Sequence, residues 1–171
     1  MGITIHFEGR LQNVDDLRQL LNEARTYASS KGWPLTEIPL QVRKLDRVKD
    51  EEYWDYEGLT SGIEITPHPN SEPLRFEFDE NGFLQEYVKT QFAPIDIHIE
   101  VVELLRQIER FFEEFEVIDE SDFWETKDLN ELEQHFKRFF EVVEDEKKKN
   151  PKLSGPHRLS NNRIADLLEE D

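Results

Sequence analysis

The chain has 171 residues, a length that suits one domain with or without a tail. Its 39 acidic and 21 basic residues give a formal charge of −18, a field that repels phosphate backbones and anionic membrane surfaces. Cysteine is absent, which removes disulfides, thiol nucleophiles and thiolate metal sites, and no apolar run approaches the roughly 20 residues that span a bilayer.

Ile3, Ile5 and Phe7 alternate with Thr4, His6 and Glu8, the period of a half-buried strand. Helical spacing follows at Val14, Leu17, Leu21, Ala24 and Ala28, with Asn13 as cap and Gly32 as stop. Ile38, Leu40 and Val42 share the face of a short second strand, placed at a sheet edge by Pro39. Residues 44–60 lack a clean period and read as a surface loop with some strand character. Ile63 and Ile65 mark a third strand, stopped by Pro67 and Pro69.

Leu74, Phe76 and Phe78 alternate with charged residues, and Glu80-Asn81-Gly82 separates them from a second run, Phe83 to Phe92. This predicts a hairpin. A two-residue Asn-Gly loop sets Phe76 opposite Tyr87. A three-residue loop with left-handed Gly82 sets Phe78 opposite Leu84, pairs more apolar residues and is preferred. It brings Glu86 to the core side or its rim.

From Ile95 the spacing predicts a helix to about residue 114, with a strand-like first turn, and then a short strand through Phe115 and Val117 that continues near Phe123-Trp124. Asp128 caps a last long helix with Leu132, Phe136, Phe139 and Val143 on one stripe, ending at Lys147-Lys148-Lys149. The expected fold is α+β, a mostly antiparallel sheet with amphipathic helices packed on one face. Residues 1–149 form the domain. Residues 150–171 form a linker and a short C-terminal amphipathic helix capped by Ser160.

Clustered glycines, a Gly-x-Ser-x-Gly elbow and a histidine pair at helical spacing are all missing, so no cofactor is expected. Of the five histidines, His68 sits between two prolines on a stiff loop. With Glu72, and Glu77 or Glu86 across the hairpin, it forms a candidate metal-assisted hydrolase site; otherwise it bonds to its own turn. His98 falls on the apolar face of the second helix and reads as a structural histidine tied to a backbone carbonyl. His135 reads as exposed, and His6 and His157 take no role.

The acidic segments carry more weight. Glu100 to Glu146 holds 17 acidic and 5 basic residues, and Asp119 and Glu120 there flank Phe123 and Trp124. Asp50 to Glu57 repeats the pattern around Tyr53, Trp54 and Tyr56. Carboxylates around exposed aromatics suit a basic protein, charge speeding encounter and rings anchoring it. The sequence therefore points to a non-enzymatic, cytoplasmic, acidic protein-binding module: an inhibitor, immunity-type antidote or adaptor for a basic partner. Nucleic acid and membrane are not expected as partners, and the oligomeric state stays open.

Overall fold

The computed structural model describes residues 2–170. The architecture is α+β, with antiparallel sheets and helices packed against them. Strand β1 (Thr4–Leu11) leads through a single 3-10 turn into helix α1 (Leu17–Lys31). Asn13 accepts a hydrogen bond from the Asp15 amide at the start of that turn, and Gly32 ends α1 with φ 69°, a conformation that L side chains resist.

The longer strands are divided between two three-stranded sheets. One has β1 at its centre, between β5 (Phe83–Lys89) and β6 (Phe112–Asp119). The other has the order β2 (Leu35–Lys49), β3 (Glu52–Ile65), β4 (Leu74–Asp79). Residues 44–60 are thus not a loop. They form most of a long two-stranded arm in which Lys49 pairs with Glu52 across a two-residue turn. Asp50 and Glu51 have φ 51° and 69°, the left-handed pair that matches the twist of a tight hairpin. The shared face expected of Ile38, Leu40 and Val42 is broken by an irregularity between Ile38 and Gln41. Ile38 is buried, whereas Leu40 and Val42 are exposed.

The Glu80-Asn81-Gly82 loop has the expected left-handed glycine, φ 74°, but the strands it joins do not pair. Asp79 Oδ1 accepts the amides of Asn81 and Phe83, turning the chain out of one sheet and into the other. Phe76 therefore lies opposite Ile63 and Glu86 opposite Phe7. Phe7 and Phe76 meet across the sheets with centroids 5.8 Å apart.

Helix α2 (Ile95–Ile108) stops well before residue 114. A 3-10 turn follows, and Phe112 already belongs to β6, since ladder bonds to β1 and burial of Phe112 and Val117 outweigh the helical spacing. Phe123-Trp124 do not extend this strand. They open a one-turn helix, α3 (Phe123–Thr126). Helix α4 (Leu129–Lys149) is as expected, with Asp128 accepting the Asn130 and Glu131 amides. Val101, Leu105, Leu132, Phe136 and Phe139 carry these helices into one core with Ile5, Phe7 and Leu84.

The expected C-terminal helix is absent among the described residues. The tail folds into two miniature ladders instead, β7 (Leu153–Ser154) with β10 (Leu168–Glu169) and β8 (His157–Arg158) with β9 (Ile164–Ala165). A helix of so few residues has little stability of its own. The extended form gains anchors on the domain: Glu72 accepts the Ile164 amide, and Lys89 Nζ bonds to the Ile164 carbonyl and Asp166.

Candidate functional site

The arm built by β2 and β3 carries a dense group of the exposed large hydrophobics: Leu40, Val42, Val48, Tyr53, Trp54 and Leu59. Register sorts them by face. Val48 pairs with Tyr53 and Val42 with Leu59, and strand alternation puts both pairs on one side. Arg47 pairs with Trp54 and Leu45 with Tyr56 on the other. Tyr53 is 79 % exposed and Trp54 43 %. Tyr56 is partly spent on structure, its hydroxyl bonding to the Leu59 carbonyl and the Glu80 amide. Between the apolar pairs Lys44 Nζ lies 3.0 Å from Asp55, which holds that carboxyl below its ordinary value.

The second acidic-aromatic cluster keeps its aromatic rings and Asp119 inside, while Glu120, Asp122 and Glu125 stay exposed. Phe123 and Trp124 are buried, Trp124 at 7 % exposure with the Arg106 guanidinium 3.5 Å from its ring centre. Asp119 is buried too. Its carboxylate accepts the backbone amides of Ser121 and Trp124, the Ser121 hydroxyl and His98 Nε2. Burial pushes this carboxyl up, but the His98 and Ser121 bonds win and hold it below its ordinary value. Glu120 accepts the Thr4 amide at 3.0 Å. The partner-binding role expected of Asp119, Phe123 and Trp124 is therefore corrected: they fix a turn and fill the core.

His98 is held by side chains and not by a backbone carbonyl. Nδ1 meets Thr90 Oγ1 at 2.7 Å, and Nε2 meets Asp119 Oδ2 at 3.0 Å and Ser121 Oγ at 3.1 Å. A Ser-His-Asp triad needs serine and aspartate on opposite ring nitrogens. Here both lie on Nε2, and His98 and Ser121 are fully buried, so the constellation is structural.

The expected site at His68, Glu72 and Glu86 does not assemble. His68 Nδ1 accepts the Asn70 amide at 3.0 Å, a histidine closing its own turn. Glu72 is buried and uses one oxygen for the Lys89 amide and the other for the Ile164 amide, both at 2.9 Å. Glu86 faces a different set of groups. Among the described residues, the acids and histidine close enough to share a cation are Asp122, Glu131 and His135. They sit near the surface, His135 Nε2 lying 3.8 Å from Asp122 and 3.9 Å from Glu131.

Between the arm and the β1–β5 sheet lies a cleft of about 820 Å³. Gln85 bridges it, donating to the Val48 carbonyl and accepting the Val48 amide. Glu77, buried in its wall, accepts Arg43, Arg75 and Thr60 at 2.7–3.0 Å. Burial pushes Glu86 up to about 7 against the charges of Arg75, Arg163 and Arg47, with Glu77 adding to the rise. Arg163 from the tail reaches Glu86 at 3.7 Å and lies over the Tyr87 ring. Arg47 is 2 % exposed, donates to the Gln85 carbonyl through Nη1 and stands 3.6 Å from Asp79. Sequence patterning points to Glu86, Glu77 and Arg75 of this group, but not to Arg47, which comes from an aperiodic segment, or to Arg163, which comes from the tail. Comparison with protein-family models, with curated proteins and with solved structures finds no significant match, so the fold and its surfaces speak through their own geometry.

Proposed function

We propose that the chain is an acidic protein-binding module that docks a basic protein through the β2–β3 arm. The observation that carries this reading is the outward face of the arm. Val42, Val48, Tyr53 and Leu59 stand exposed there, where ordinary folding would leave polar residues. Asp50 to Glu57 supplies five carboxylates and no base around them. Apolar anchors beside a predominantly acidic run, its Asp55 tied to Lys44, suit a partner of the opposite sign. The chain charge of −18 adds a long-range pull on such a partner and repels nucleic acid. No described helix is long and apolar enough to cross a membrane.

The test compares the wild-type chain with Val48→Ser/Tyr53→Ser, both immobilised and exposed to extract of the native host. A protein of basic isoelectric point should be retained by the wild type and lost from the variant. It should elute as salt rises from about 0.05 to about 0.5 M, where exposed charges are screened over a few ångströms. Identical retention on both columns, independent of salt, overturns the reading.

A further inference from the structure

β2 is the outermost strand of its sheet, with β3 on one side of it only. The two-residue turn makes Lys49 and Glu52 a hydrogen-bonded pair, so alternation turns the N–H and C=O groups of Arg47, Leu45 and Arg43 towards β3. Those of Val48, Asp46, Lys44 and Val42 point away from it. At Val48 the Gln85 carboxamide takes both groups, donating to one and accepting the other. A carboxamide is a peptide group carried on a side chain, so this edge already holds one surrogate of a neighbouring backbone. For Val42, Lys44 and Asp46 no such partner is present among the described residues, and all three residues are exposed.

Open strand edges invite pairing, and folds usually blunt them. β5 shows the ordinary treatment. Its carbonyls at Gln85 and Tyr87 receive Arg47 and Arg163, and Glu72 takes the Lys89 amide. Between Gln41 and Lys49, β2 has neither a bulge nor a proline. Lys44, the charge best placed to guard this stretch, is drawn back to Asp55 at 3.0 Å.

The surroundings say what the edge would take. Leu45, Asp46, Val48 and Gln85 all line the cleft under the arm, as do Glu8 and Glu116 of the facing sheet. Glu8 and Glu116 stand directly opposite each other on β1 and β6, a like-charge pairing that costs stability. Burial pushes the Glu8 carboxyl up against the pull of Lys49, with Glu116 and Asp50 adding to the rise. Side chains of an added strand alternate: one set joins Val42 and Val48 on the outer face, and the other turns towards this acid pair. We infer that β2 takes up an extended segment of the basic partner, alternating basic and apolar residues, as an added strand bonded to Val42, Lys44 and Asp46. The inference rests on the basic-partner reading and supplies the way that partner is held.

The probe is a hexapeptide of alternating lysine and valine, capped at both ends and titrated at low salt into the full ¹⁵N-labelled chain. Hydrogen exchange at the Lys44 and Asp46 amides should slow about tenfold or more when it binds, with the β1 amides unchanged. The same peptide with glutamate for lysine should not bind. Two further peptides carry N-methyl groups, one on the valines and one on the lysines. Only one set of amides can face β2, so one methylated peptide should lose about tenfold or more in affinity and the other should keep it. These readouts need no variant of the chain. Unslowed exchange at Lys44 and Asp46, equal affinity of the two methylated peptides, or binding of the glutamate peptide overturns strand addition. Retention of a basic protein that depends on Val48 and Tyr53 would survive any of these, so the two readings fail separately.

Discussion

Gln85 treats Val48 as a strand would. Its side-chain amide donates to the Val48 carbonyl at 2.7 Å and accepts the Val48 amide at 2.9 Å. One side chain thereby ties the arm to the other sheet. Gln85→Ala should loosen the arm without unfolding the domain, at a cost of about 1–2 kcal/mol for two hydrogen bonds. Faster hydrogen exchange at Val48, with core amides of β1 unchanged, checks it.

Glu72 anchors the tail in the same manner from the buried side. Glutamine offers one carbonyl oxygen where glutamate offers two acceptors. Glu72→Gln should therefore strand either the Lys89 or the Ile164 amide, costing on the order of 1–3 kcal/mol. Because Ile164 lies between Arg163 and the β7–β10 ladder, the variant should be cut by trypsin at Arg158 and Arg163 faster than wild type, with the remaining domain intact. Unchanged cleavage rates would show that the tail is held elsewhere.

Glu86 makes stability depend on pH in a stated direction. Burial raises its folded value to about 7 from 4.5, against Arg75, Arg163 and Arg47 and assisted by Glu77. From pH 4.5 to 7 the unfolded chain has released a proton that the folded chain still holds. Stability from this group therefore falls as pH rises through that window, by on the order of 3 kcal/mol in full. Glu86→Gln cannot ionise. It should match wild type near pH 5 and exceed it near pH 8, as read from urea denaturation at both. Parallel curves would show that Glu86 titrates normally.

The two tryptophans Trp54 and Trp124 should separate cleanly. Trp124→Ala empties a core site under Arg106 and should cost about 3–5 kcal/mol. Trp54→Ala removes a half-exposed ring and should cost under about 1 kcal/mol. Thermal melts of both variants are sufficient, and comparable losses would contradict the burial described above.

Helices α1 and α4 were legible because their signals are local: Asn13 and Gly32 bound one, Asp128 and the three terminal lysines the other. The arm was not, since buried Arg47 and exposed Val42 and Leu59 invert the usual polarity of both faces. Its turn uses Asp50 and Glu51 in place of the glycine that announces most tight hairpins. Asp119 looked like surface charge, because nothing in a sequence reveals that a carboxylate will be consumed by backbone amides. The hairpin register puts Glu86 on the core side or its rim; the pairing with Phe76 does not form, and its neighbour on β1 is Phe7. The arginines around it converge from positions 47, 75 and 163, a meeting that only the long-range topology creates.

The corner at residues 80–82 has a bearing on how the molecule comes apart. Because β4 finishes one sheet and β5 borders the next, a single short peptide is shared property of both. Neither layer can peel away intact while its neighbour survives. Loss of structure should accordingly proceed as one event across both layers, and not as two melting steps.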